Sequence, residues 1–244
     1  MGRWSLLALP RRGATPTERL KALAEQLLRR HGVLTRDAVA FEAVPGGFPA
    51  VYPVLRTLEE AGRIRRGYFV AGQGGLQFAD PGALERLRAR RDPDPEAPQA
   101  VVLAAADPAN AYGAALPWPK LAEPAAPGEA SRPGARLARA AGAHIVLVDG
   151  TVAALVSPRS RQVVSLLPPE EPARTRMATA VARALASWCQ ATARPALGWA
   201  IEPGPSLADG PLAPFLAAAG FVRSGPGFRL ASPAASESEE GDEA

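Results

Sequence analysis

Four polar residues of this chain stand where they could activate water. They are Gln77 and Asp80 in LQFADP, Asp107 at the head of DPANAYGAALPWP, and Asp149 before Gly150. A carboxylate or amide beside a pocket and an aromatic face is what excision of a flipped base requires. Each has a plainer structural reading, and turn roles are much commoner for these residue types. Asp80-Pro81 suits a helix cap, Asp107-Pro108 an Asx turn, and Asp149-Gly150 a tight hairpin. Asn110 shares the run with Asp107. No phosphate-binding Gly-x-x-x-x-Gly-Lys loop, Gly-x-Ser-x-Gly elbow or Ser-x-x-Lys element occurs. His31 and His144 are the only histidines and Cys189 the only cysteine. A disulfide framework or cysteine-based zinc site within one chain is therefore excluded, and neither metal nor cofactor is expected. His31 at a helix end, His144 at a strand start and Cys189 on an apolar stripe read as structural.

Basic residues offer a second chemistry. Arg63, Arg65 and Arg66 crowd around Ile64, with Tyr68 just beyond and Arg56 one helical stretch before. Guanidinium groups at this density favour phosphate oxygens. Tyr52, Tyr68, Tyr112 and Trp118 are aromatics able to stack on a base, although packing is the commoner role. Only Lys21 and Lys120 are lysines, which coding bias explains as well as phosphate recognition does. Residues 1–92 carry a net charge of +7, residues 93–231 carry +2, and residues 232–244 carry −5. A basic first block is the footprint of a polyanion binder, and DNA is the expected partner. Glu59 and Glu60 beside Arg56 oppose that reading.

The elements that must hold these residues follow from periodicity. Thr15-Pro16-Thr17-Glu18 is a capping box before Leu20, Leu23, Ala24, Leu27 and Leu28 at helical spacing, and Gly32 ends that helix. Thr35 caps a shorter helix carrying Ala38, Val39 and Phe41. A third helix fits residues 49–61, with Val51, Val54, Leu55 and Leu58 inward and Pro53 near its first turn. Strands at 64–70 and 76–79 flank the glycine-rich turn AGQGG. Three helices and a hairpin make a winged helix-turn-helix, whose wing would carry the arginines. A short strand is expected at 4–9 and a basic helix at 81–91.

Past a proline- and charge-rich linker at 93–98, the pattern changes. A strand at 99–106 runs into DPANAYGAALPWP, where three prolines restrict the backbone and Tyr112 and Trp118 argue for order. Residues 123–133 read as a loose loop. Strands at 144–148, 152–156 and 162–167 form a three-stranded meander, turning at Asp149-Gly150 and at residues 157–160. A long helix spans 170–192, with Met177, Val181, Ala182, Leu185 and Trp188 at core spacing. A strand at 196–201, a helix at 212–219 and a hairpin at 221–231 follow. The Ser/Glu-rich residues 232–244 read as a disordered acidic tail. The fold class is α+β: an N-terminal winged helix-turn-helix at 1–92, then a smaller α+β module at 99–231 with an antiparallel meander. No run approaches the length of a membrane span or a signal peptide, so a soluble cytoplasmic protein is expected.

The strings GRWSLL (2–7), HGVLTRDAV (31–39), VPGGFPAVYPVLRTLEEAGRIRRGYFV (44–70), GGLQFAD (74–80), DPANAYGAALPWP (107–119) and AGFVRSGPGFRL (219–230) together resemble one family. It is the C-terminal region of the bacterial large helicase-related (Lhr) proteins, ATP-dependent DNA helicases of DNA repair. The resemblance implies motor domains upstream, and this sequence has no Walker A loop and no room for two RecA-like folds. The chain is thus expected to be a fragment, a separately encoded tail or the product of a start-site artefact, with a helicase core or further copies of itself as partners. The family's C-terminal region also resembles winged-helix DNA glycosylases, which carry Gln-x-Gln or Gln-x-Asp. Gln77 and Asp80 stand in Gln-x-x-Asp spacing, which departs from that motif, and no catalytic role is carried over. Tyr112 and Trp118 are expected to anchor an interdomain loop. The functions to weigh are a DNA-binding and assembly module, a base-excision module, and an oligomerisation module without DNA contact.

Overall fold

A computed structural model describes residues 13–92, 94, 96–119, 137–157, 162–198 and 207–231. The expected strand at 4–9, the loop at 123–133, most of the turn at 157–160 and the tail from 232 lie outside them. The chain divides into two units. One holds residues up to Asp92 together with Ala114–Leu116, and the other holds Pro93–Gly113 and the chain from Pro117 onward. The second is the larger, not the smaller.

The first unit is a winged helix. Helix α1 (Pro16–His31) starts at the expected capping box: the Thr15 hydroxyl accepts from the Glu18 amide while Glu18 accepts from the Thr15 amide. Ala24, Leu27 and Leu28 are its buried face. A two-residue strand β1 (Val33–Leu34), not foreseen, precedes α2 (Arg36–Phe41), which Thr35 caps. Helix α3 (Gly47–Glu60) begins two residues before the expected start. Pro53 therefore lies in its second turn rather than its first, and cannot donate to the Pro49 carbonyl. Val51, Leu55 and Leu58 are buried and Val54 half-buried. Strands β2 (Arg65–Gly67) and β3 (Gln77–Ala79) form the wing, both shorter than expected, and β3 lies between β1 and β2 in an antiparallel sheet. Helix α4 (Pro81–Ala89) closes the unit. Leu34, Leu55 and Phe78 centre a core built from all three helices and the sheet.

The second unit is α+β. Strands β4 (Ala100–Ala104), β5 (His144–Val148), β6 (Thr151–Val156) and β7 (Val163–Ser165) form an antiparallel sheet in chain order. The meander has four strands rather than three, because β4 pairs along the whole of β5. Helix α5 (Ala173–Ala191) buries Ala178, Val181, Ala182, Leu185 and Cys189 in the main core, with Met177 and Trp188 packed at its margin. A 3-10 turn (Leu207–Asp209), helix α6 (Ala213–Ala218) and a small sheet complete the unit. In that sheet β10 (Gly227–Leu230) lies between β8 (Ala196–Leu197) and β9 (Phe221–Ser224).

Candidate nucleic-acid interface

The wing displays its arginines on different faces. Side chains alternate along a strand, and directly paired residues share a face. Arg66 stands opposite Phe78, which is wholly buried, so Arg66 turns toward the helical side of the sheet. There its guanidinium lies 3.8 Å from Glu59 of α3. Arg63 reaches Glu25 of α1 at 3.2 Å, and Arg56 bonds Glu60 one turn along α3 at 2.7 Å. That hydrogen bond, with the charge of Glu60, raises the Arg56 pKa. Arg65, opposite Ala79, has no carboxylate partner among the described residues. The arginine of each pair is solvent-exposed, though Glu25 and Glu59 are half-buried, and such pairs are worth about 0–1 kcal/mol each, so a phosphate can compete with the carboxylates. Tyr68 is 78% exposed. A Cβ at the neighbouring Gly67 would stand 2.9 Å from the Phe69 ring, which packs against the strand there.

Gln77 shapes this wing from beneath. Its side chain is wholly buried, and its carbonyl accepts from the amides of Phe69 and Val70 at 2.8 and 2.9 Å. Its amide nitrogen donates to the Val70 and Gln73 carbonyls. Strand β2 ends at Gly67 because this one side chain takes over the backbone pairing that a longer strand would supply. Asp80 is turned the other way and caps α4, accepting from Gly82 and Ala83. Gln77 and Asp80 thus serve separate partner sets.

In the second unit the loop after β4 is ordered by polar bonds. Asp107 accepts from the Ala109 amide through its carboxylate. Asn110 is buried, donating to the Ala105 carbonyl and accepting from the Tyr112 amide. The Tyr112 ring stacks on Trp118 at 6.1 Å between centroids, and its hydroxyl donates to the Gly150 carbonyl at 3.0 Å. Burial raises the Tyr112 pKa, which keeps that hydroxyl a donor. Trp118 also packs on a cluster of Ala105, Ala143, Ile145 and Leu155. Asp149 adopts a left-handed φ of 48° in the hairpin turn and accepts from the Gln99 amide. The loop and the Asp149-Gly150 turn are therefore neighbours, with Asp149 engaged by the chain entering β4. Among the described residues no group of three or more His, Cys, Asp or Glu could hold a metal ion.

A model of the winged-helix domain of the large helicase-related protein matches residues 13–99. Residues 13–99 thus carry a winged-helix domain of the large helicase-related family. Among curated proteins it is 51% identical over 167 residues to one from Mycolicibacterium smegmatis named "Lhr helicase/ probable uracil glycosylase". That match covers 67% of this chain and 10% of the relative. It is 47% identical over 123 residues to "Lhr helicase/uracil glycosylase" of Escherichia coli, covering 48% of this chain and 8% of the relative. The chain thus spans about a tenth of the length of the curated relatives it matches.

In the second unit, sequence reasoning missed Arg139. Its guanidinium donates to the carbonyls of Ala106, Asp107, Asn110 and Tyr112, and so ties the loop together. Backbone carbonyls carry no residue identity, so nothing in the loop's own sequence points to an arginine some thirty positions on. Arg36 was likewise missed; its guanidinium lies 5.6 Å from the Phe48 ring centroid, a cation–π contact across the start of α3.

Proposed function

We propose that this chain is a DNA-binding and assembly portion of an Lhr-type helicase system acting in DNA repair. One observation carries the reading. Arg65 stands without a carboxylate partner among the described residues, beside a Tyr68 that is 78% exposed, on the wing of a winged helix. An unpaired guanidinium supplies a phosphate contact, and a solvent-facing phenol supplies a face for a sugar or base. Arg63, Arg66 and Arg56 add further contacts when phosphate displaces their carboxylates. The names of its relatives, which speak of helicases, support nucleic acid as the partner. Fluorescence anisotropy with a labelled duplex tests the reading. Changing Arg63, Arg65 and Arg66 to alanine should weaken binding and flatten its dependence on salt, by about 0.9 in log–log slope for each phosphate no longer neutralised. Equal slopes for variant and parent would remove the wing from the interface.

The relatives' names favour a second reading, base excision. Its candidate groups are Gln77 and Asp80 in the first unit and Asp107 and Asp149 in the second. Incubation with uracil-containing oligonucleotides decides it. Abasic product above a buffer control is the supporting result, and its absence eliminates the reading.

A further inference from the structure

The second unit carries an open groove of about 870 Å³ that neither the wing nor the loop uses. One wall is β4 and the other is α5. Strand β4 is the edge of its sheet, bonded to β5 on one side and to no described strand on the other. Two bonds flank it: the Asp149 amide donates to the Gln99 carbonyl, and the Ala105 amide to the Ala143 carbonyl. Bonding direction alternates along an antiparallel strand, so Gln99, Val101, Leu103 and Ala105 pair with the β5 side. The amides of Ala100, Val102 and Ala104 and the carbonyls of Ala100 and Val102 therefore face the open edge, and no described group bonds them. The Ala104 carbonyl is taken by the Asp107 amide. Ala100 and Val102 pack their side chains on the main core beside α5, whereas Val101 lies on the opposite face and is 46% exposed.

On the helical wall Arg176, Thr179, Arg183 and Ser187 recur at intervals of three and four residues, which puts them on one face. No carboxylate among the described residues pairs with Arg176 or Arg183. The one carboxylate of the lining is Glu96, on the stretch leading into β4. An open strand edge beside a helix is the setting in which domains take up an extended peptide as an added strand. Nucleic acid would use the guanidiniums but leave the backbone groups of the edge unmatched, so the edge favours a polypeptide. A strand added to β4 sends alternate side chains to opposite faces. Those on the α5 side meet Arg176 and Arg183, which select carboxylates. Those on the other side meet Val101, which selects apolar groups. Arg176 and Arg183 stand roughly 10 Å apart along the helix axis, and same-face residues of a strand repeat every ~7 Å, so acidic residues at alternate positions reach both.

We propose that the groove between β4 and α5 docks an extended segment of a partner protein in which acidic and apolar residues alternate. The segment adds to β4 as a strand, with its carboxylates on Arg176 and Arg183 and its apolar side chains over Val101.

The probe is the peptide acetyl-Thr-Glu-Val-Glu-Val-Glu-Thr-amide, titrated into the full chain and followed by hydrogen exchange and by the anisotropy of a labelled copy. Saturating peptide should slow exchange at the amides of Ala100, Val102 and Ala104 at least about tenfold and leave β6 unchanged. Combining Arg176→Glu with Arg183→Glu should weaken the peptide at least about tenfold, and lysine in place of each glutamate of the peptide should restore binding to that variant. Parent-like protection of β5 and β6 in the variant certifies that it folds. No protection of the three β4 amides at about 1 mM peptide overturns the proposal. A loss of binding that the lysine peptide does not restore overturns the assignment of carboxylates to the arginines. Protection present without peptide and growing with protein concentration overturns the proposal too, since a second copy then holds the edge. So does a mixed-sequence single-stranded oligonucleotide that binds more tightly than the peptide and is lost with the two arginines, since the groove then serves nucleic acid.

Discussion

Gly113 occupies a point where any side chain collides with Trp118. A Cβ there would lie 2.4 Å from the indole nitrogen, and its φ of 71° is one that side chains resist. Gly113→Ala should therefore cost about 1–3 kcal/mol, seen as a lower midpoint in urea. Trp118→Ala should unfold the loop as well, because the indole carries both the Tyr112 stack and the cover over Ile145. A Trp118→Ala chain with an unchanged midpoint would reduce the loop to decoration. Gln77 makes a sharper case. Replacing it by alanine strands the half-buried Phe69 and Val70 amides without their acceptor, at about 1–3 kcal/mol. Exchange protection at those two amides should vanish while α1 and α3 keep theirs. At this scale the sequence was readable wherever a residue acts on its own backbone neighbourhood, as Asp80, Asp107 and Thr15 do. It was unreadable where a side chain serves distant carbonyls, as Arg139 does, or where a glutamine substitutes for strand pairing.

Helices α1 and α2 are joined at their C-terminal ends by a carboxylate. Glu42, the residue ending α2, bonds Arg30 at 2.6 Å and His31 at 2.9 Å, both from the last turn of α1. The Arg30 hydrogen bond first, and that of His31 next, hold its pKa below the ordinary 4.5. A carboxyl with a depressed folded pKa adds stability above its unfolded value, and that stability fades as pH falls through the folded one. Glu42→Gln should thus lower the unfolding midpoint by a constant amount above about pH 5, and the gap should close toward pH 3. A gap independent of pH would assign the loss to packing alone. Helices with caps or full apolar stripes were legible, as α1, α2 and α5 show. Strand β1 was not, because two residues hold no period. The start of α3 was misplaced because Gly46 and Gly47 read as a break, whereas their left-handed φ values of 76° and 61° turn the chain directly into the helix.

The charge of the whole chain is small, +4, but its distribution is steep, and most of the basic excess lies in residues 1–92. Composition shows that excess without showing how much of it is already used. On the wing and the neighbouring face of α3, Arg56, Arg63 and Arg66 each face a carboxylate, and Arg65 alone does not among the described residues. A phosphate approaching this surface meets one free guanidinium and three that must first leave a glutamate. DNA binding by the parent chain should accordingly show a shallow salt dependence, with a log–log slope of about −1 to −2. Releasing the arginines should steepen it. Changing Glu25, Glu59 and Glu60 to glutamine removes three negative charges and no hydrogen-bonding volume from the surface. The triple variant should bind a duplex several-fold more tightly at about 100 mM salt, with a slope steeper by roughly two to three. Adding Arg65→Ala to that variant should take back about one unit of slope. If the triple variant binds as the parent does, DNA does not sit on the wing, and the basic excess of the first unit must act elsewhere on its surface.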